Sequence, residues 1–186
     1  MARPLGFDPG NARQALKRAF WAKGYDGTSM QDIEAETGLN KQSLYRLFGD
    51  KRGMYRAALR DYEACEMAAA ERLLARPGTA RERIEGLFRA VVVAAVAGDD
   101  PNGCFLSAAT AGSDPGDAET RALLKEMADR LLAALRGALP DDLPPERAEA
   151  MARHFQAVYL GLRLLLKGGV PAAAAEQIVA EALAEL

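Results

Sequence analysis

The sequence is poor in the residues from which catalytic and metal sites are usually built. It has one histidine and two cysteines among 186 residues. Cys65 and Cys104 give neither a disulfide framework nor a metal-ligand spacing, and His154 has no second histidine to join it in a transition-metal or general-base site. We therefore expect no enzymatic activity, no cofactor and no metal, and we interpret His154 as a packing or interface residue.

Long apolar runs and phosphate-binding loops are missing too. No stretch approaches the roughly 18 apolar residues of a membrane span, and the first ten residues have no apolar core of the signal-peptide kind. The segment Gly24-Tyr25-Asp26-Gly27 predicts a turn and not a phosphate cradle. The sequence predicts a cytoplasmic protein that makes no contact with a membrane.

Aromatic residues are scarce, at 6% of a chain that is 49% hydrophobic. The core must then consist largely of Ala, Leu, Val and Met, which favours helices. Charge is unevenly distributed: residues 1–62 hold 11 basic and 7 acidic side chains, whereas residues 63–186 hold 13 and 19. A basic N-terminal part on an acidic remainder is typical of local contact with phosphate groups.

Apolar periodicity, capping residues and Gly or Pro breaks predict an all-α fold of about nine helices. They lie at about 9–23, 30–37, 41–48, 51–76, 80–97, 104–110, 117–139, 145–167 and 171–185. The first three predict a helix-turn-helix head, and the others a larger helical body. We place a first domain at 1–50 and a second, larger one at 51–186.

The second and third helices carry the main functional signal. Thr28 or Ser29 can cap the second helix, Gly38 can end it in the left-handed conformation, and Asn40 can cap the third. Helix, glycine-containing turn and helix form the pattern whose second helix enters a DNA major groove. The alternative is an ordinary solvated helix pair.

The outward residues of the third helix suit DNA. Gln42 and Ser43 can bond base edges or phosphate, and the cations Lys41, Arg46 and Lys51 can reach phosphate. The candidate DNA-binding residues are Thr28, Ser29, Lys41, Gln42, Ser43, Tyr45, Arg46 and Lys51.

Residues 12–57 resemble the DNA-binding domain of TetR/AcrR-family transcriptional repressors. The resemblance is carried by Ala19-Phe20-Trp21, Gly24-Tyr25-Asp26-Gly27-Thr28-Ser29-Met30, Asp32-Ile33, Gly38-Leu39, Lys41, Ser43-Leu44-Tyr45, Phe48 and Lys51. Glu34 departs from it, because many members have a small apolar residue there. The resemblance implies a homodimeric repressor of a palindromic double-stranded DNA operator, released by a small-molecule effector through a shift of the helix that begins at Lys51.

The last two predicted helices expose more apolar surface than one solvated hairpin needs. The resemblance implies that they pair with a second copy in a four-helix bundle, and the alternative is that they pack only on their own body. A two-fold dimer places two recognition helices in major grooves about 34–36 Å apart or a multiple of that. The candidate interface residues are Met151, Val158, Leu162, Leu166, Ile178, Val179 and Leu183.

The body also holds the residues for an effector pocket. The candidate ligand-binding residues are Phe88, Val92, Cys104, Phe105, Thr110, Met127, Leu131, Phe155 and Tyr159. An apolar or aromatic compound with one or two polar groups would suit such a lining, with Thr110 and Tyr159 as polar partners.

Other interpretations remain open. Cys104 at a helix N-terminus would favour a thiolate, which predicts a cysteine-based sensor of electrophiles or oxidants; it can equally be a small buried hydrophobic residue. The chain can also be a helical ligand-binding protein without specific DNA recognition, or a protein-interaction module that uses the apolar hairpin.

Overall fold

The computed structural model describes residues 9–98, 102–112, 117–184 and 186, which form nine α-helices and no strand. The predicted all-α class is confirmed within these ranges. No helix in this part of the chain has the length and hydropathy of a membrane span. The helices are α1 (Pro9–Gly27), α2 (Met30–Thr37), α3 (Lys41–Phe48), α4 (Lys51–Leu74), α5 (Ala80–Ala97), α6 (Phe105–Ala111), α7 (Ala118–Gly137), α8 (Pro145–Lys167) and α9 (Ala172–Leu183).

Local capping chemistry sets the bounds of α2 and α3. Ser29 caps α2 and forms a reciprocal capping box with Asp32, whose side chain bonds back to the Ser29 amide. Gly38 ends α2 with φ 68°, a left-handed conformation that costs glycine little. Asn40 then caps α3 by accepting from the Ser43 amide at 2.9 Å. Of the two predicted caps for α2, the structure selects Ser29.

The chain forms two compact units. The first consists of the described residues of Met1–Cys65 and Ala108–Leu124, and the second of Glu66–Ser107 and Lys125–Leu186. Helix α4 therefore contributes to both units. Its first part packs with α1, where Lys17 forms an ion pair with Asp61 at 2.8 Å. The functional boundary after residue 50 stays a prediction.

Aromatic rings join α1 to the first part of α4 inside the first unit. The ring of Tyr55 lies 5.1 Å from that of Phe20 and 5.2 Å from that of Tyr25, centroid to centroid. Trp21 and Tyr62 meet edge to face at 5.0 Å. Such pairs add to the free energy of burial, so α4 begins from a fixed base on the helical head.

In the second unit, α5 packs against α8 and α9. Ile84, Phe88, Leu135 and Phe155 are fully buried in its core. Thr79 caps α5 with a second capping box, to Glu82. The predicted apolar band of α5 therefore forms the centre of this unit.

Candidate nucleic-acid interface

Helix α3 presents its polar side chains to solvent and buries its apolar ones. Leu44 is buried and Phe48 is partly buried, whereas Lys41, Gln42 and Arg46 are exposed. Tyr45 is 38% exposed. An eight-residue helix with this division can enter a groove without disturbing the residues that hold it.

Hydrogen bonds hold the turn between α2 and α3. The Leu39 amide donates to Thr37 Oγ1 at 3.2 Å. The Lys41 amide donates to Glu34 Oε1 at 2.6 Å. Sequence reasoning missed this second contact, although the departure of Glu34 from the family pattern was the signal for it.

Two ion pairs connect α1 to α2. Lys23 Nζ lies 2.6 Å from Asp32 Oδ1, and Arg18 Nε lies 2.6 Å from Glu36 Oε1. The hydrogen bond from Lys23, followed by those from Ser29, holds the pKa of Asp32 well below its usual value. Exposed pairs contribute little stability each, but together they fix the register of α2 on α1.

The structure contradicts the assignment of Thr28 to DNA contact. Thr28 is 0% exposed, and its hydroxyl donates to the Gly24 carbonyl at 2.6 Å. Its role is to satisfy a backbone carbonyl where α1 is interrupted, since Gly24 takes φ 71° there. Ser29 is exposed but already bonded to Asp32, at 2.7 Å between hydroxyl and carboxylate, and its contact with DNA stays a prediction.

Aromatic rings support two of the candidate cations. Lys51 Nζ lies 4.5 Å from the centroid of the Tyr25 ring, and Lys41 Nζ lies 5.6 Å from that of the Tyr45 ring. A cation over a ring is held electrostatically and loses less freedom on meeting a phosphate. The DNA contacts of Lys41, Gln42, Ser43, Tyr45, Arg46 and Lys51 all remain predictions.

An ionic cluster joins the start of α4 to the start of α7 inside the first unit. Arg56 lies 3.6 Å from Asp117 and 3.0 Å from Glu119, and Arg52 lies 4.0 Å from Asp117. Burial opposes ionisation of Asp117, but hydrogen bonds from Thr120 and the two arginines outweigh it and lower its pKa. No local pattern reveals this cluster, because its members are about 60 residues apart.

Most residues of the predicted effector pocket are buried in the second unit. The Phe88 ring lies 6.1 Å from that of Phe155 and 6.4 Å from that of Tyr159. Thr110 is exposed and belongs to the first unit, so the structure does not enclose it with the others. The remaining predicted lining residues are buried: Val92, Cys104, Phe105, Met127 and Leu131.

Sequence reasoning also missed Arg163, which is only 4% exposed. Its guanidinium lies 3.3 Å from the Tyr159 hydroxyl, 3.3 Å from the Gly103 carbonyl and 3.6 Å from Glu66. Burial raises the pKa of Tyr159, although Arg163 acts in the opposite direction. An arginine inside the apolar run Leu162–Leu166 was the available signal, since buried arginines need partners.

The structure does not favour the cysteine-based alternative. Cys104 is 5% exposed, and its Sγ accepts from the Ser107 amide at 3.4 Å. Reactive cysteines are at least partly accessible, whereas buried ones are inert. Cys104 therefore serves as a small packing residue at the start of α6.

The predicted interface residues fall into two groups. Met151, Leu162, Val179 and Leu183 are buried in the protomer core, so their burial is already complete in one copy. Leu166, Val158 and Ile178 are partly buried against the same core. Val158 and Ile178 also line a groove of about 500 Å³, the α8–α9 groove, which consists of His154, Val158, Ala174, Gln177, Ile178, Glu181 and Ala182.

Comparison with known proteins agrees with this geometry. Residues 13–58 match the model of the family described as bacterial regulatory proteins, tetR family. The chain is 28% identical over 90% of its length to the uncharacterised HTH-type transcriptional regulator YezE of Bacillus subtilis, and covers 90% of that protein. It is 31% identical to the HTH-type transcriptional repressor ComR of Escherichia coli, over 62% of this chain and 56% of ComR.

A solved structure shares the whole fold. It is a cysteine mutant of the TetR family transcriptional regulator CifR complexed with 26-base-pair double-strand operator DNA. The two chains superpose with a TM-score of 0.86 at 27% identity, over 97% of this chain and 98% of the other. Residues 13–58, which hold the helix-turn-helix, therefore match the tetR family of bacterial regulatory proteins, and the fold is similar to that of a TetR family transcriptional regulator.

Proposed function

We propose that the protein is a homodimeric transcriptional repressor that binds a palindromic operator and is released from it by a small effector. The observation that carries the proposal is α3, a capped helix whose buried Leu44 leaves Lys41, Gln42 and Arg46 exposed on one rigid element. CifR is a relative seen with operator DNA, and ComR is a relative described as a repressor. The protein acts in the cytoplasm as a regulator and not as an enzyme.

The residues of α3 and the first residue of α4 have different roles in DNA binding. Gln42, near the N-terminus of α3, reads base edges, since an amide can donate and accept at an adenine. Lys41, Arg46 and Lys51 contact phosphates, which contributes affinity without sequence information. Tyr45 packs its exposed ring against the DNA backbone and donates its hydroxyl there.

The second unit binds an apolar or aromatic effector. Support comes from the cluster of Phe88, Phe155 and Tyr159, with Arg163 at its polar edge. The effector favours a conformation in which the two recognition helices are wrongly spaced for the operator. A coupling free energy of about 1–3 kcal/mol would lower operator affinity roughly 5–150-fold.

A binding selection on genomic fragments tests the proposal. The purified protein is mixed with sheared genomic DNA at moderate salt, and the retained fragments are sequenced. We expect one enriched palindrome, with affinity that falls steeply as salt rises. Retention no better than for random DNA would contradict specific DNA recognition and favour the helical ligand-binding alternative.

Variants of α3 and α4 test the division of roles. Lys51→Ala should weaken binding to operator and shuffled duplexes by similar factors and reduce the salt slope by about one. Tyr45→Ala should likewise weaken binding broadly. Gln42→Ala should change the preferred bases at one position of each half-site, with a cost of about 1–3 kcal/mol for the original base. Fluorescence anisotropy on both duplexes measures these effects, and parent-like binding by all three variants would contradict the assignment.

A further inference from the structure

We propose that Glu34 is a positioning residue for operator recognition, because its carboxylate fixes the first amide of the recognition helix. This inference rests on the proposed function and assigns a specificity role to a side chain outside α3. Glu34 Oε1 accepts from the Lys41 amide at 2.6 Å, a short charge-assisted hydrogen bond.

The hydrogen bond from the Lys41 amide to Glu34 holds the first turn of α3, which carries Lys41 and Gln42. The first amides of a helix have no partner within the helix. In α3, Asn40 satisfies the Ser43 amide and Glu34 satisfies the Lys41 amide. Glu34 belongs to α2, so its bond joins two helices, whereas the Asn40 cap is local to α3. Lys41 and Gln42 follow directly, and a shift of the first turn would displace both from the DNA.

Helix α2, which carries Glu34, is itself held against α1. Asp32 and Glu36, its neighbours on α2, form ion pairs with Lys23 and Arg18 of α1. The backbone carbonyl of Glu34 also accepts from the Gly38 amide at 2.9 Å, at the end of α2. Glu34 therefore joins α3 to a helix that is already held, and does so through one half-buried side chain.

Because Glu34 acts by positioning α3, its loss should reduce the preference for the operator over other DNA and not the affinity for DNA in general. Non-specific binding depends on phosphate contacts and tolerates small changes in helix orientation, while base contacts do not. Loss of the Glu34 acceptor should thus lower operator affinity and leave the affinity for shuffled DNA unchanged, apart from the effect of removing one negative charge.

Two variants of equal charge separate position from charge. Glu34→Gln keeps an acceptor oxygen, and Glu34→Ala removes it. The probes are the palindromic duplex recovered in the genomic selection and a shuffled duplex of the same length and composition. We expect the Ala variant to bind the operator about fivefold more weakly than the Gln variant, the size of a typical cap loss. Both variants should bind the shuffled duplex equally.

A neighbouring glutamate provides the charge control. Glu36→Gln removes a negative charge from the same helix, while its amide oxygen can still accept the hydrogen bond from Arg18. We expect this variant to strengthen binding to both duplexes by one common factor, because it removes a negative charge near the phosphates. Melting curves check that every variant is folded. Hydrogen exchange of the Lys41 amide should be faster in Glu34→Ala than in Glu34→Gln, and this difference reports the lost hydrogen bond directly.

The outcomes are distinguishable. Equal operator affinity of Glu34→Ala and Glu34→Gln would overturn the positioning role, as would a parallel loss on both duplexes. Absence of any operator preference in the parent protein would overturn the proposed function instead, and the Lys41 amide exchange would still judge the contact itself.

Discussion

Tyr55 shows how a single buried side chain can make the stability of the first unit depend on pH. Burial, with a smaller contribution from the charge of Asp26, raises the pKa of Tyr55 to about 12. The unfolded chain would ionise this phenol near its ordinary value of 10, so the folded state binds more protons above that pH. Its contribution is therefore complete below pH 10 and lost as pH rises towards about 12.

We expect Tyr55→Phe to reduce the loss of stability between about pH 9 and 12 relative to the parent. Urea unfolding at a series of pH values measures this. Tyr45→Phe is the matched control, since the Tyr45 ring is exposed, and it should follow the parent curve. An identical alkaline decline in Tyr55→Phe and in the parent would contradict the role of this phenol.

Thr28 and Glu34 show what a residue type alone does not reveal. The motif predicted that Thr28 contacts DNA, but the residue is fully buried and its hydroxyl donates to the Gly24 carbonyl, so it is directed inward. Glu34 looked like an irregularity of α2, yet it reaches the first amide of α3. In both cases the direction of the side chain depends on neighbours that the pattern does not specify.

At the scale of elements, the junction between α3 and α4 depends on Gly53. A Cβ at this position would lie 1.9 Å from the Phe48 carbonyl oxygen, and the Gly53 amide donates to Asp50 Oδ1 at 2.7 Å. The two backbones approach so closely that there is no room for a Cβ at position 53, and any side chain there would force the backbone to shift.

We expect Gly53→Ala to destabilise the protein by about 1–3 kcal/mol, as overpacking usually does. Operator affinity should fall with it, because the end of α3 must shift. Gly86→Ala in α5 is the control: no atom lies within 4 Å of its Cβ position, and the better helix former should stabilise by about 0.5–1 kcal/mol. Urea unfolding measures both variants, and equal stability of the two would contradict the steric argument.

At the scale of the whole molecule, we propose the α8–α9 groove as the surface on which a second copy buries apolar area. Val158 and Ile178 line the groove, whereas four other predicted interface residues are buried in the core of one protomer. An isologous two-fold contact uses the same surface on both copies, so one substitution acts twice in the dimer.

We expect Ile178→Glu to give a folded monomer, because each dimer would bury two unpaired carboxylates. Operator affinity should fall by about a hundredfold or more once the two heads are no longer linked. Val93→Glu, on an exposed valine of α5, is the control and should remain dimeric. Analytical ultracentrifugation measures the mass, and a dimeric Ile178→Glu variant would place the interface elsewhere.

The sequence by itself determined the helices, their caps and the outward face of α3. Ser29, Gly38 and Asn40 act on residues three or four positions away, and the periodicity that buries Leu44 and exposes Gln42 lies within two helical turns. Interactions over so few residues depend only on the local order of residue types. The match to the family pattern lies in the same stretch.

Only the tertiary structure decided which side chains meet across long separations. The bond from the Lys41 amide to Glu34, the burial of Arg163 beside Gly103, and the ion pairs of Asp117 with Arg52 and Arg56 depend on how helices pack. Packing also decided that Met151 and Leu162 face their own core while Val158 lines the groove. An apolar stripe shows that a helix face will be buried, but the partner that buries it is set by all the helices together.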